Sequence, residues 1–241
     1  MHHEEVARIE QAVQRLEAHG IHQLVVVPLL ISSASEVMRQ YQYLFGLRAQ
    51  GPWNAHAHPI MVHVPVIMTP PLDDDPLVAE IVLERAKAVS QEPSTESIIL
   101  IAHGPTGEED NQRWLETMGR LAKQVQAQGQ FRAVVPVTMR DDAPRQVRQA
   151  ATRAMRTLVK MQSAHGSAIV VPLLLANGGI EQKIPKRLAG LTYTFQSQAL
   201  LPHPKVARWI ARQVREAVVQ PQTWQAVQRE SSSKPETVVL Q

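Results

Sequence analysis

The feature that most constrains this chain is a stretch that occurs twice. GIHQLVVVPLLISSASEV, starting at Gly20, lines up with HGSAIVVPLLLANGGIEQ, starting at His165. Each copy follows an amphipathic stretch, runs through a VVPLL strand into a loop of small residues, and leads into another amphipathic stretch. Farther on, PPLDDDPLVAEIVLERAKAV, from Pro70, lines up with ALLPHPKVARWIARQVREAV, from Ala199, and in both a Pro-rich turn feeds a helix. Two matching segments in the same order make duplication a better account than chance. The strands are too apolar to face water and they alternate with helices. The expected fold is therefore α/β, two similar lobes with mostly parallel sheets covered on both faces.

The periodicity places the elements. Val6, Ile9, Val13 and Leu16 predict a helix over 3–19, and strands are expected over 22–30 and 59–68 with a helix over 35–46 between them. A helix over 76–89 carries Pro76 in its first turn and Asp73–Asp75 as caps. After a Ser/Pro/Glu stretch at 90–96, strands are expected over 97–102, 131–138, 167–175 and 191–196, with helices over 108–128, 144–162, 181–188 and 204–219. This gives an N-terminal half over 1–92, a C-terminal half over 97–219, and a polar, mobile tail over 220–241. The second half opens with a strand, a helix and a strand before its repeat begins. The first half has no such opening. The repeat alignment thus predicts a first lobe lacking about 40 residues of N-terminal counterpart, as in a truncated or mis-started chain. A sheet edge left open in this way needs cover, for which a second copy of the chain is the natural candidate.

Composition excludes several functions. The chain has no cysteine, so there are no disulfides, thiolate metal ligands or cysteine nucleophiles, and any metal must be held by nitrogen and oxygen ligands. The net charge of +3 is dispersed and aromatics are only 4%, which argues against a nucleic-acid surface. No apolar run reaches the roughly 18 residues of a membrane span. The first residues, MHHEEVARIE, do not form a signal peptide, and a cytoplasmic location is expected.

Two loops carry candidate chemistry. In IILIAHGPTGEEDN an apolar strand ends at His103-Gly104. Ligands of open parallel sheets bind beyond the carboxyl ends of strands. Neutral imidazole suits borderline divalent ions, and Gly104 permits a tight turn and a close ligand approach. Capping of the next helix is the competing role for His103. The second loop, Asn177-Gly178-Gly179 in VVPLLLANGGIEQKIP, offers free backbone N–H groups as a seat for carboxylates, although turn duty is the commoner explanation of such glycines. Elsewhere, His56-x-His58 is read as a surface loop, His63 as a mid-strand residue, and His203 as fixing entry to the last helix. Met61, Met68, Met139 and Met161 are expected in the core. The acidic run Asp73–Asp75 is read as turn and cap, and Lys183, Lys186 and Arg39 as solvated charges.

Together the LIAHG strand end, the VVVPLL strand with SSASEVMRQYQYLFGL, the VVPLLLANGG strand and loop, and the LLPHP turn resemble the sirohydrochlorin chelatase family. These are the CbiX/SirB-like class II tetrapyrrole chelatases. The resemblance covers nearly the whole chain. It implies two α/β halves facing across a cleft, a carboxylate-rich tetrapyrrole as substrate, and insertion of a divalent ion, Co²⁺ or Fe²⁺, without ATP or an organic cofactor. It assigns His103 as the metal-handling and catalytic residue, with Gly104, Asn177, Gly178 and Gly179 lining the substrate. The family's second histidine falls on Ile180, and the loop of the first half has Ala34 where relatives carry a histidine. The departure leaves two readings, an active chelatase or a degenerate relative that binds a tetrapyrrole or metal without turnover. A periplasmic-type solute binder follows from two-lobed topology by analogy alone.

Overall fold

The structure is a computed structural model that describes residues 3–49, 51 and 58–219. Its elements run α1 (His3–Ala18), β1 (Leu24–Val26), α2 (Glu36–Leu44), β2 (Val66–Met68), α3 (Pro76–Lys87), β3 (Glu96–Ala102), α4 (Glu108–Gly129), β4 (Ala133–Thr138), α5 (Arg145–Ala164), β5 (Ser167–Leu173), α6 (Ile180–Arg187), β6 (Thr194–Phe195) and α7 (Pro204–Val219). All strand pairs are parallel. The duplication is visible in the order of elements, since α1-β1-α2-β2-α3 recurs as α5-β5-α6-β6-α7, and β1 pairs with β2 as β5 pairs with β6. The second series is preceded by β3-α4-β4, which has no counterpart before α1 among the described residues.

The chain forms two compact units. Among the described residues, one comprises 3–28, 36–49, 51, 58–70 and 210–219, and the other 29–35 and 71–209. In the first, a two-stranded sheet packs its apolar side chains around Val13, Leu24, Leu44, Phe45 and Ile60. The strand expected over 59–68 shortens here to three residues, and His63 lies outside it, with a largely exposed ring whose Nδ1 is 3.0 Å from Glu17 Oε2. A two-stranded ribbon supplies ladder partners to one side of each strand only, so little of the apolar run is held extended.

The second unit holds a four-stranded sheet in the order β4-β3-β5-β6. Every residue of β3 is buried, as expected of a strand with neighbours on both edges and helices on both faces. Ile99 and Ile101 meet Met155 and Val159 of α5 and Ile184 of α6. On the helical layers α4 packs on β4 and α3, and α3 on β5. Each fully buried aliphatic side chain here stabilises by about 1.5–3 kcal/mol.

Local signals set the helix starts. Asp75 caps α3 by accepting a hydrogen bond from Leu77 N at 2.9 Å, with Pro76 behind it. The rest of the acidic run is also structural, with Asp73 accepting from Ser33 N at 2.8 Å and Asp74 pairing with Arg120 at 2.8 Å. Burial of Asp73 pushes its carboxyl pKa up. His203 opens α7 by accepting from Lys205 N through Nδ1, so its protonated Nε2 donates to Glu84. Met139 is fully buried, but Met61 and Met161 are exposed, because they lie on faces turned from the core. His56 and the tail 220–241 lie outside the described residues, and His58 is exposed. No helix among the described residues is long and apolar enough to cross a membrane.

Candidate active site

Three loops leave the carboxyl ends of neighbouring strands in the second unit. Ala102, at the end of β3, is in register with Thr138 of β4 on one side and Leu173 of β5 on the other. His103 therefore stands between the loop carrying Asp141-Asp142 and the loop carrying Asn177-Gly178-Gly179. This is the rim where parallel sheets bind ligands.

The backbone at His103 is tightly held. Gly104 has φ +74, and a Cβ there would lie 2.5 Å from Thr138 Cβ. The room that glycine leaves is thus filled by Thr138, whose hydroxyl donates to Asn111 Oδ1 at 2.7 Å. Arg140, buried and itself at φ 52, ties down the following residues. Its backbone N–H donates to His103 O at 2.7 Å, its Nε to Pro105 O at 3.2 Å and its Nη2 to Thr106 O at 2.6 Å, and its Nη1 pairs with Glu108.

The ring of His103 is 30% exposed and its Nδ1 lies 3.0 Å from Gly104 O. A carbonyl only accepts, so Nδ1 is the donor here and Nε2 is the ring nitrogen left for another partner. That Nε2 lies 3.5 Å from Asp142 Oδ2. His103, Asp141 and Asp142 each place one ligand atom within 4.8 Å of the others. The two aspartates differ. Asp141 is engaged by Lys183 at 2.5 Å and by Arg187, which also donates to Met139 O at 2.8 Å. Burial pushes the Asp141 carboxyl up, but the Lys183 hydrogen bond and the charges of Arg187 and Lys183 outweigh it and hold the pKa below the usual carboxylate value. Asp142 is 74% exposed.

The Gly-Gly loop is built differently from its sequence expectation. Gly178 N and Gly179 N both donate to Glu181 Oε2, at 3.0 and 2.9 Å. The free amides expected there are occupied by the chain's own carboxylate. Hydrogen bonds from Gly178, from its own N–H and from Gly179 hold the Glu181 pKa below the ordinary value. Asn177 bridges to the segment before α7, donating to Ser197 O at 3.1 Å and accepting from Ala199 N at 2.9 Å. A concavity of about 630 Å³ opens beside it, lined by Arg85, Ala176, Asn177, Gln198, Leu201 and Pro202. Ile180, the first residue of α6, packs against the core cluster that holds Ile99 and Ile184, and Ala34 is buried. Lys183, expected as a solvated charge, is instead committed to Asp141.

Sequence reasoning found His103 from its strand end but passed over Asp141 and Asp142. The same rule would have found them, because the strand expected over 131–138 ends four residues before Asp142 in TMRDDAP.

The CbiX family model matches residues 3–89 and 97–217. The chain belongs to the CbiX family. The model's two matched segments follow the duplication seen in the elements, and the family carries chelatase-type insertion of a metal ion into a tetrapyrrole. Among solved structures, this CbiX chain is similar to SirB from Bacillus subtilis, determined with Fe³⁺, at 19% identity and a TM-score of 0.63 over 89% of this chain and 79% of that one. It is also similar to a multi-domain protein of Deinococcus radiodurans, described as structurally similar to chelatases with two additional novel domains. There the identity is 20% and the TM-score 0.53, over 80% of this chain and 41% of the other. Both likenesses support the chelatase fold. No curated protein matches by sequence.

Proposed function

We propose that this CbiX chain inserts a divalent ion, Co²⁺ or Fe²⁺, into sirohydrochlorin without ATP, with His103 as the residue that handles the ion. The observation that carries this reading is the ring orientation. Gly104 O accepts a hydrogen bond from Nδ1, which leaves Nε2 as the ring nitrogen facing Asp142. Insertion requires the ion's water shell to be stripped and two pyrrole N–H protons to be removed. A neutral imidazole with an oriented lone pair can hold the ion or accept a proton. Gly104, Asn177, Gly178 and Gly179 line the same rim and are proposed to meet the substrate. For Gly178 and Gly179 this contact is through the loop surface, since their amides are taken. The Fe³⁺ found with Bacillus subtilis SirB keeps iron beside cobalt in the set.

The test is the rate of metal insertion into sirohydrochlorin, followed by absorbance. His103→Ala is expected to lose about 10²-fold or more relative to the unaltered protein, the usual scale of a lost acid–base group. Equal rates for the two proteins would remove the proposal.

Ile180 favours a second reading, a tetrapyrrole-binding relative without turnover. Its side chain packs on the core cluster and ligates nothing. This reading expects a spectral shift on adding sirohydrochlorin with no metal-dependent product, and insertion gained on Ile180→His. No binding at micromolar sirohydrochlorin would count against it.

A further inference from the structure

We infer that Asp142 is the second ligand of the incoming ion, forming with His103 an open two-ligand site. The inference deepens the chelatase reading and rests on it. It starts from the 3.5 Å between His103 Nε2 and Asp142 Oδ2. Across this gap an imidazole nitrogen and a carboxylate oxygen face each other, both of them donor atoms suited to a borderline divalent ion. The gap exceeds a hydrogen bond, whose heavy atoms lie about 2.7–3.2 Å apart. It is close to the spacing of two ligands on one ion: at about 2.1 Å bond lengths and octahedral to tetrahedral angles, ligand atoms sit about 3.0–3.4 Å apart.

Asp141 completes the geometric triad, but its charge is already spent. Lys183 and Arg187 each hold one of its oxygens, so an incoming ion would meet a carboxylate whose charge two cations already offset. Asp141 is therefore a positioning residue that fixes the turn ahead of α5. Asp142 is the adjacent carboxylate, mostly exposed, and its oxygen faces His103. Two ligands make a weak site, and weakness suits the task. An ion meant for transfer must keep open positions for the pyrrole nitrogens and must leave afterwards, whereas a closed four-ligand site retains its metal.

Titration of Co²⁺ into the full chain without tetrapyrrole, followed by calorimetry and by the visible Co²⁺ bands, tests the inference. One ion is expected to bind per chain, with binding lost in His103→Ala. Asp142→Asn should weaken it by about tenfold or more, since even an outer-shell partner of a metal ligand is worth 10–100-fold. Glu109→Gln, which removes an exposed charge near the start of α4, should stay within about twofold because such charges are screened. Asp142 is mostly exposed, so the variant should fold, and circular dichroism checks this. Unchanged Co²⁺ affinity in Asp142→Asn, or no Co²⁺ binding by the unaltered protein, overturns the inference. A parallel sirohydrochlorin titration separates it from the functional reading. Co²⁺ held through both residues with no tetrapyrrole binding would remove the chelatase function and leave the ion site standing. Insertion at the unaltered rate in Asp142→Asn would remove the ion site and leave the chelatase function.

Discussion

At Gly104 two requirements coincide: a left-handed backbone and no room for a methyl group beside Thr138 Cβ. Gly104→Ala should therefore cost about 1–3 kcal/mol, the scale of a strained backbone residue, with the collision added to it. Urea unfolding measures the loss, and a cost under about 0.5 kcal/mol, the range of an inert surface change, would show that the turn relaxes freely. Glu181 carries a pH signature. Its folded pKa lies below the ordinary 4.5 because backbone amides stabilise the carboxylate. Folding therefore favours the ionised form. That contribution is fully present above the unfolded pKa and disappears as pH falls through the folded one. Glu181→Gln should flatten the acid limb of stability below the ordinary carboxylate pKa and leave its shape near neutrality unchanged, as read by thermal melts across pH. An unaltered acid limb would exclude the role. Residue identity made His103 readable in the sequence, because a strand followed by His-Gly places the imidazole at a rim. The partners of Glu181 were not readable, since a carboxylate turning back onto two glycine amides is a conformational choice that no spacing dictates.

At the scale of elements, β3 and the segment after it do separate work. From Ser97 to Ala102 the strand anchors the sheet through side chains with no solvent exposure, and Ile99 packs with Met155, Val159 and Ile184. Ile99→Ala should cost about 2–5 kcal/mol, the range for a large-to-small change in a close-packed core. Chemical denaturation checks it, and a value near 1 kcal/mol would mean that α5 collapses onto the gap. The segment after β3 depends on Arg140, which lies on another strand's loop and satisfies three carbonyls with its backbone N–H, Nε and Nη2. This staple was invisible in the sequence because it joins residues that only the β3–β4 pairing brings together. Helices were read to within a few residues, since 3.6-residue periodicity and caps such as Asp75 and Pro76 are local signals. Strand lengths were overread at β1, β2 and β6, where ladder partners run out before the expected ends.

At the scale of the molecule, one duplicated pattern yields two sheets of unequal depth. The four-stranded sheet has β3 bonded on both edges and buried throughout. The two-stranded sheet has three residues per strand, only one fully buried in each. Among the described residues a strand-helix-strand precedes the second copy of the repeat, and its two strands are what deepen that sheet. The sequence could not show the compact units, because residues 71–92, which belong by repeat to the first series, cluster with the second unit. The physical consequence is a gradient of local stability. Opening a short two-stranded ribbon exposes little apolar surface and breaks few ladder bonds, whereas opening β3 requires both neighbours to part. Native-state hydrogen exchange should therefore find the amides of Ile98–Ile101 and Ile169–Val171 protected to nearly the global unfolding free energy. The amides of Val25–Val26 and Ile67–Met68 should exchange through smaller openings at least about 1.4 kcal/mol cheaper, a tenfold difference in the opening equilibrium. Equal protection in both sheets would mean that the ribbon opens only with the whole chain, and stability would then have to be assigned to a single cooperative unit.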